Sequence, residues 1–294
     1  MKHPLFKYII ALLLFGLNGI VADNITLESY QIVFLRTLVG SLFLGILFFA
    51  TKQPITFYKH KKSTLFIIIS GIAMGASWIC LYEAYAQIGV SVSSLLYYCG
   101  PVIVMVLSPI LFNEKLTMVK IIGFASVLCG IFLVNGQNTD TLNVRGIFCA
   151  SLSAVFYSVM VMSNKKAKNI TNMENSLIQL IISFLTVAVF AGIKSGFLFS
   201  LSKSGLIWVI VLGVVNTGIG CYFYFTSIGS LSVQTVAVCG YLEPLSAVLF
   251  SVLLLHETMY PLQAAGAALI IGGAVFGECF CHNSDSTIKE KRCI

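Results

Sequence analysis

The chain has 294 residues, 58% of them hydrophobic and only 10% charged, with a formal net charge of +7. A soluble globular domain carries about 25% charged residues, so a chain of this composition and length has too little polar surface to face water. The basic balance is therefore a matter of membrane topology, and nucleic acid is not an expected partner.

Ten apolar runs of membrane-spanning length, about 17–25 residues each, are expected at 5–22, 30–50, 63–86, 92–112, 117–135, 144–164, 175–194, 204–227, 233–255 and 261–280. The longest connections, 51–62 and 136–143, are too short for a soluble domain. The expectation is an all-α polytopic membrane protein with one membrane domain. Its halves are 1–137 and 138–282, followed by a tail at 283–294.

The first span is flanked by Lys2 and Lys7 in the manner of a signal peptide. No small-residue cleavage site follows it, and with nine further runs behind it the segment is read as a true span. It carries Asn18. Arg36 lies about six residues from the outer end of the second span, and Glu83 about twenty residues into the third, which runs the other way. Both fall in the outer part of the bilayer and are expected to pair or to contact the substrate. The blander readings are snorkelling of Arg36 to the headgroups and proximity of Glu83 to water. Gly71 with Gly75, and Gly273 with Gly277, make small-residue faces for close helix packing.

The fourth span holds Tyr97 and Tyr98 just before Pro101. Glu114 and Glu257 follow the fourth and ninth spans and are expected to cap the next helix or hold its loop. Asn18, Trp78, Tyr97, Tyr98, Tyr157, Asn216 and Tyr222 all fall near the midplane. Aromatics give a cavity apolar walls with hydrogen-bonding tips, although each is also an ordinary packing residue.

The ninth span contains YLEPL, residues 241–245. Glu243 lies about ten residues into that span, about 15 Å from the membrane face. A charge there costs about 2.5–3.5 kcal/mol on insertion scales, so Glu243 is a candidate for coupling or substrate contact; the alternative is a structural hydrogen-bonder. Pro244 and Pro101 each remove a backbone donor and are expected to kink their helices. Such breaks free carbonyls to face a cavity or a substrate.

Six of the nine cysteines (Cys80, Cys99, Cys129, Cys149, Cys221, Cys239) fall inside spans and act as small apolar side chains. Cys279, Cys281 and Cys293 lie at the C-terminal end without a second ligand pair at zinc spacing. No metal and no cofactor is expected. There is no HExxH, GxSxG or Walker loop, and Ser200-Leu-Ser-Lys203 fits S-x-x-K only in a short loop without a catalytic domain. An enzyme is therefore not expected.

With a cytoplasmic N-terminus, fourteen of the eighteen Lys and Arg residues fall on the cytoplasmic side. Arg145, Lys194 and Lys203 fall on the other, and Arg36 within a span. That bias places both termini in the cytoplasm of a cell membrane.

The two halves resemble each other. Ile88-Gly89 matches Ile228-Gly229, and at an offset of 143 Pro101 matches Pro244, Ser108 matches Ser251, Glu114 matches Glu257, Gly123 matches Gly266 and Gly130 matches Gly273. Five spans per half would make the halves inverted, an arrangement found in secondary transporters with a midplane substrate site.

LYEAYAQIGVSVSSLLYYCGPVIVMVLSPILFNEKLT in the first half resembles the EamA-type members of the drug/metabolite transporter superfamily. So do GYLEPLSAVLFSVLLLHETM and LQAAGAALIIGGAVF in the second, and LESYQIVFLRT at 27–37. The resemblance covers essentially the whole chain. It implies ten helices as two inverted five-helix repeats around a central cavity, alternating access, and export of small metabolites such as amino acids. A channel or lipid scramblase is the alternative. The expected partners are a small-molecule substrate and the lipid bilayer, and both monomer and homodimer remain open.

Overall fold

A computed structural model describes residues 4–114, 117–135, 143–170, 172–194, 203–255, 261–262, 264–273 and 276. These form α1 (Pro4–Gly16), α2 (Asn18–Asp23), α3 (Ser29–Ala50), α4 (Lys61–Tyr97), α5 (Cys99–Phe112), α6 (Met118–Asn135), α7 (Val144–Lys166), α8 (Asn172–Lys194), α9 (Lys203–Val211), a π-helical segment (Leu212–Ile219), α10 (Gly220–Ile228), α11 (Val233–Gly240), α12 (Leu242–Leu255) and α13 (Ala264–Gly273). No strand occurs among the described residues.

Among the described residues, six helical stretches are long and apolar enough to cross a membrane: Pro4–Ala22, Ser29–Ala50, Lys61–Ile88, Val144–Lys166, Asn172–Lys194 and Gly205–Ile228. Their outward faces carry bare apolar side chains, with Phe49 70% and Ile193 82% exposed. Acyl chains cover such a surface without penalty, whereas water would not.

The fourth and ninth expected spans are each interrupted. α4 ends at Tyr97 and α5 begins at Cys99; α11 ends at Gly240 and α12 begins at Leu242. Pro101 cannot donate to the carbonyl of Tyr97, nor Pro244 to that of Gly240, and each ring crowds that carbonyl. Each proline is the third residue of its helix, where amides lack an intrahelical partner anyway. The expected kinks are thus breaks just upstream, at Tyr98 and Tyr241.

The third expected span and the start of the fourth are wound as one helix, the 37 residues of α4. The helix is not straight. The hydroxyls of Tyr85 and Ser94 are 3.3 Å apart. Nine residues of straight helix advance about 13.5 Å, more than these side chains can bridge. The axis turns in the glycine- and serine-containing stretch between them, a usual site of sharp bends.

The helices of one half pack chiefly on those of the other. α4 lies along α7 and α1 along α10; α5 packs on α7 and α1 on α12; α4 packs on α8 and α3 on the π segment. Each pair is the counterpart of its companion when the halves are exchanged. The offset of 143 recurs in contacts. The Tyr241 hydroxyl donates to the Tyr98 carbonyl at 2.8 Å, and the Ser126 hydroxyl to the Leu269 carbonyl at 3.2 Å. A Cβ on Gly130 would lie 2.5 Å from the Gly266 carbonyl oxygen, and one on Gly273 2.5 Å from that of Gly123. Only glycine permits that approach.

Polar contacts collect the connections at two ends. At one end, the Glu174 carboxylate accepts from the amides of Thr56 (2.6 Å) and Phe57 (2.9 Å), and Lys165 reaches residues 228–231. At the other, Glu83 pairs with Arg145 and Lys194. The 22 helical steps of α4 from Lys61 to Glu83 separate these ends by about 33 Å, close to the thickness of a bilayer core.

Candidate functional site

Arg36 is 2% exposed and projects from the middle of α3 into the bundle. A buried guanidinium needs acceptors for a planar fork of donors. It finds Thr217 Oγ1 from Nε at 3.0 Å, Tyr82 Oη from Nη1 at 3.4 Å and Asn18 Oδ1 from Nη2 at 3.4 Å. Its carbon also lies 4.7 Å from the centre of the Trp78 ring, a cation–π placement. Thr217 is delivered by the π segment, where its hydroxyl donates to the Leu212 carbonyl, five residues back, at 2.9 Å. Wider π turns of this kind recur at functional sites. Asn18 is delivered by the break between α1 and α2 at Leu17.

Glu243 is the second residue of α12, so the break at Tyr241 presents it at a helix N-terminus, where partial positive charge favours a carboxylate. The carboxylate has no hydrogen-bond or ion-pair partner among the described residues.

Arg36 and Glu243 line the same narrow cavity. Aromatic rings wall it. Tyr97 stands edge-on to Tyr157 with centroids 5.4 Å apart, and the Tyr157 hydroxyl is 3.4 Å from that of Tyr224. Phe15, Asn18, Arg36, Trp78, Tyr97 and Glu243 also line a wider vestibule, of about 1340 Å³, which includes Tyr98 and reaches Ser29 and Ala86. The cavity thus opens toward the end that carries Glu83.

Of the sequence candidates, Glu243, Arg36, Asn18, Trp78, Tyr97, Tyr98 and Tyr157 meet in these two cavities. The expected pairing of Arg36 with Glu83 is overturned. Neighbouring helical residues point about 100° apart; Tyr82 takes the side facing Arg36, while Glu83 turns to Lys194 (3.2 Å) and Arg145 (3.5 Å). Asn216 lines neither cavity and donates to the Leu14 carbonyl at 2.7 Å, tying the π segment to α1. Tyr222 also lies off both cavities, packed on Phe223 with centroids 5.7 Å apart. Neither proline ring lines them; Pro101 and Pro244 act through the backbone breaks. Glu114 caps a helix, but it is α11 in the other half, by accepting from the amides of Val233 (2.8 Å) and Gln234 (3.2 Å). Glu257, Gly277 and the three C-terminal cysteines lie outside the described residues.

Sequence reasoning passed over Phe15, Met74, Tyr82, Tyr85, Tyr224 and Phe225. The signal was present for three of them. Met74, Trp78, Tyr82 and Tyr85 repeat at helical spacing on one face of α4, so Trp78 should have brought its neighbours along.

The chain matches the model of a family described as the EamA-like transporter family twice, over residues 4–136 and 144–276. It is 26% identical over 271 residues to an uncharacterized transporter, YxxF, of Bacillus subtilis (strain 168), covering 91% of this chain and 86% of the relative. It is 24% identical over 275 residues to an uncharacterized transporter of Archaeoglobus fulgidus, covering 94% and 96%. A solved crystal structure, described simply as that of a protein, superimposes with a TM-score of 0.80 over 95% of this chain and 97% of its own, at 18% identity. That last likeness concerns the fold.

Proposed function

The chain belongs to the EamA-like transporter family, and from that premise we propose that it is a secondary-active carrier that exports small amino-acid-like solutes by alternating access. One observation carries this reading. A fixed guanidinium and an unpartnered carboxylate face one aromatic-walled cavity. Arg36 offers its charge to a carboxylate and Glu243 to an ammonium group, and the rings take the apolar remainder of the solute. Glu243 is also the residue proposed to exchange protons, because a carboxyl group with no hydrogen-bond partner among the described residues can pass its proton on without first breaking a hydrogen bond.

The ten-span, inverted-repeat reading belongs to the same proposal. The reciprocal packing of the halves and their two family matches support it. So do the proposed sidedness and location: both termini in the cytoplasm and the chain in the cell membrane, which rest on charge bias.

Counterflow in proteoliposomes tests the function. Vesicles preloaded with one unlabelled amino acid at a time should accelerate entry of the same labelled solute, with saturation. Flux that neither saturates nor shows counterflow for any amino acid would exclude a carrier of this class and favour a channel.

A further inference from the structure

Beyond the central cavity lies another, of about 970 Å³, walled by Asn164 and Lys165 of α7, Asn172 and Asn175 of α8, and Thr226 and Ser230 at the end of α10. Phe225 lines both. The same helices lead from one to the other. On α7, Met160 faces the central cavity and Asn164, one turn on, faces the far one. On α10, Cys221 faces the central cavity and Thr226 the far one. The vestibule joins the central cavity from the opposite direction. The three spaces therefore lie in series, wide, narrow and wide. Phe225, 2% exposed and edge-on to Tyr224 at 5.1 Å, stands between the second and third.

The corner past Phe225 is clamped. Lys165 Nζ donates to the carbonyls of Ile228 (2.9 Å), Gly229 (3.3 Å) and Leu231, satisfying carbonyls that the end of a helix leaves unpaired. Glu114 holds the amides of Val233 and Gln234 on the other side of the same turn. An ammonium on the carbonyls and a carboxylate on the amides fix residues 228–234, and with them the register of Phe225.

We propose that the far cavity is the second mouth of the translocation path and that Phe225 is the side chain that closes it in this conformation, an inference that rests on the carrier reading above. The amides, hydroxyls and lysines of the far wall suit a hydrated polar solute rather than an acyl chain. Passage requires the Lys165 and Glu114 clamp to loosen so that Phe225 can swing out of the path.

Accessibility tests this without a known substrate. Gly19 lines the vestibule, and a Cβ there meets no atom within 4 Å, so Gly19→Cys places a thiol in open space. Lys168→Cys places one in the far cavity. Each is made in a chain whose native cysteines are replaced, and membrane vesicles of both orientations are treated with a small impermeant methanethiosulfonate. The orientation that labels Lys168→Cys identifies the far side. From there Gly19→Cys should label slowly. Adding Phe225→Ala should speed it at least about tenfold, the effect of a shift of about 1.4 kcal/mol between closed and open forms. Phe225→Leu, which keeps most of the bulk, should stay near the parent rate.

Labelling from the vestibule side should be the same in all three and shows that they are folded. If Phe225→Ala does not fold, Lys165→Met, which releases the clamp, carries the same expectation. Unchanged far-side labelling in the folded variant overturns the proposal. Faster far-side labelling in a protein that shows no counterflow leaves the gate standing and removes the carrier reading.

Discussion

Thr217→Val separates the two things Thr217 does. Valine keeps the shape of threonine, so the methyl that would sit 3.0 Å from a Cβ on Gly40 stays where it is and the close contact of the π segment with α3 survives. What disappears is the hydroxyl that accepts from Arg36 Nε at 3.0 Å and donates to the Leu212 carbonyl at 2.9 Å. A hydrogen bond to a charged group contributes about 1.5–3 kcal/mol, and Arg36, at 2% exposure, has little access to a replacement acceptor. If that loss falls on the substrate-bound state, affinity should drop by roughly 10- to 100-fold. Thr217→Ser makes the opposite cut. It keeps the hydroxyl and drops one methyl, about 0.8 kcal/mol of burial, and so should bind nearly as the parent does. The assay is half-saturation of counterflow in proteoliposomes beside thermal stability in detergent. The refuting result is a Val variant with parental half-saturation and a Ser variant that is the less stable of the two. Thr217 would then be a packing residue, and the π segment would have no part in placing Arg36.

Glu243→Gln should reach the membrane at normal levels and keep solute-for-solute exchange, but lose accumulation driven by a pH gradient; uptake with and without that gradient decides, and a Gln variant that still concentrates solute removes Glu243 from coupling. Arg36→Ala and Glu83→Ala should reduce folded yield additively, since the two side chains serve separate networks; a coupling energy above about 0.5 kcal/mol in the double replacement would restore the discarded pair. Gly130→Ala and Gly273→Ala each drive a methyl to 2.5 Å from a carbonyl oxygen, and each should cost about 1–3 kcal/mol. Equal losses of thermal stability are expected, and a silent substitution at either position would contradict the close seam between α6 and α13.

The helical class and the approximate extent of the long apolar helices were legible because hydrophobic length is a long-range signal that survives local irregularity. The candidacy of Glu243 and Arg36, which line one cavity, was legible for the same reason, as a charge in an apolar run is conspicuous. Orientation around a helix axis was not. Arg36 and Glu83 were assigned similar depths, yet depth says nothing about azimuth, and one residue's rotation sends Glu83 to Lys194 and leaves Tyr82 for Arg36. The π segment was also hidden, because Leu212–Ile219 carries no residue that forbids an ordinary α-helix. Its extra width serves contacts with α3, which lies far away in sequence. Pro101 and Pro244 marked the breaks but not the residues that the breaks would deliver.

The cross-half packing also fixes an order of events during synthesis. The Tyr8 hydroxyl donates to the carbonyl of Val236, Asn216 to that of Leu14, and Ser246 to that of Leu12. α1 thus completes its contacts only with segments made about two hundred residues after it. At about 5–20 residues per second, it waits roughly 10–40 s in the bilayer without the side-chain donors of Asn216 and Ser246 and with the Tyr8 hydroxyl lacking Val236. A nascent helix can endure that interval only if it is content in lipid by itself, which the mean hydropathy of 2.0 over Pro4–Ala22 permits. Extra polar residues on the inner face of α1 would therefore do their damage before the protein exists as a whole, as failed insertion or early degradation rather than as slow transport.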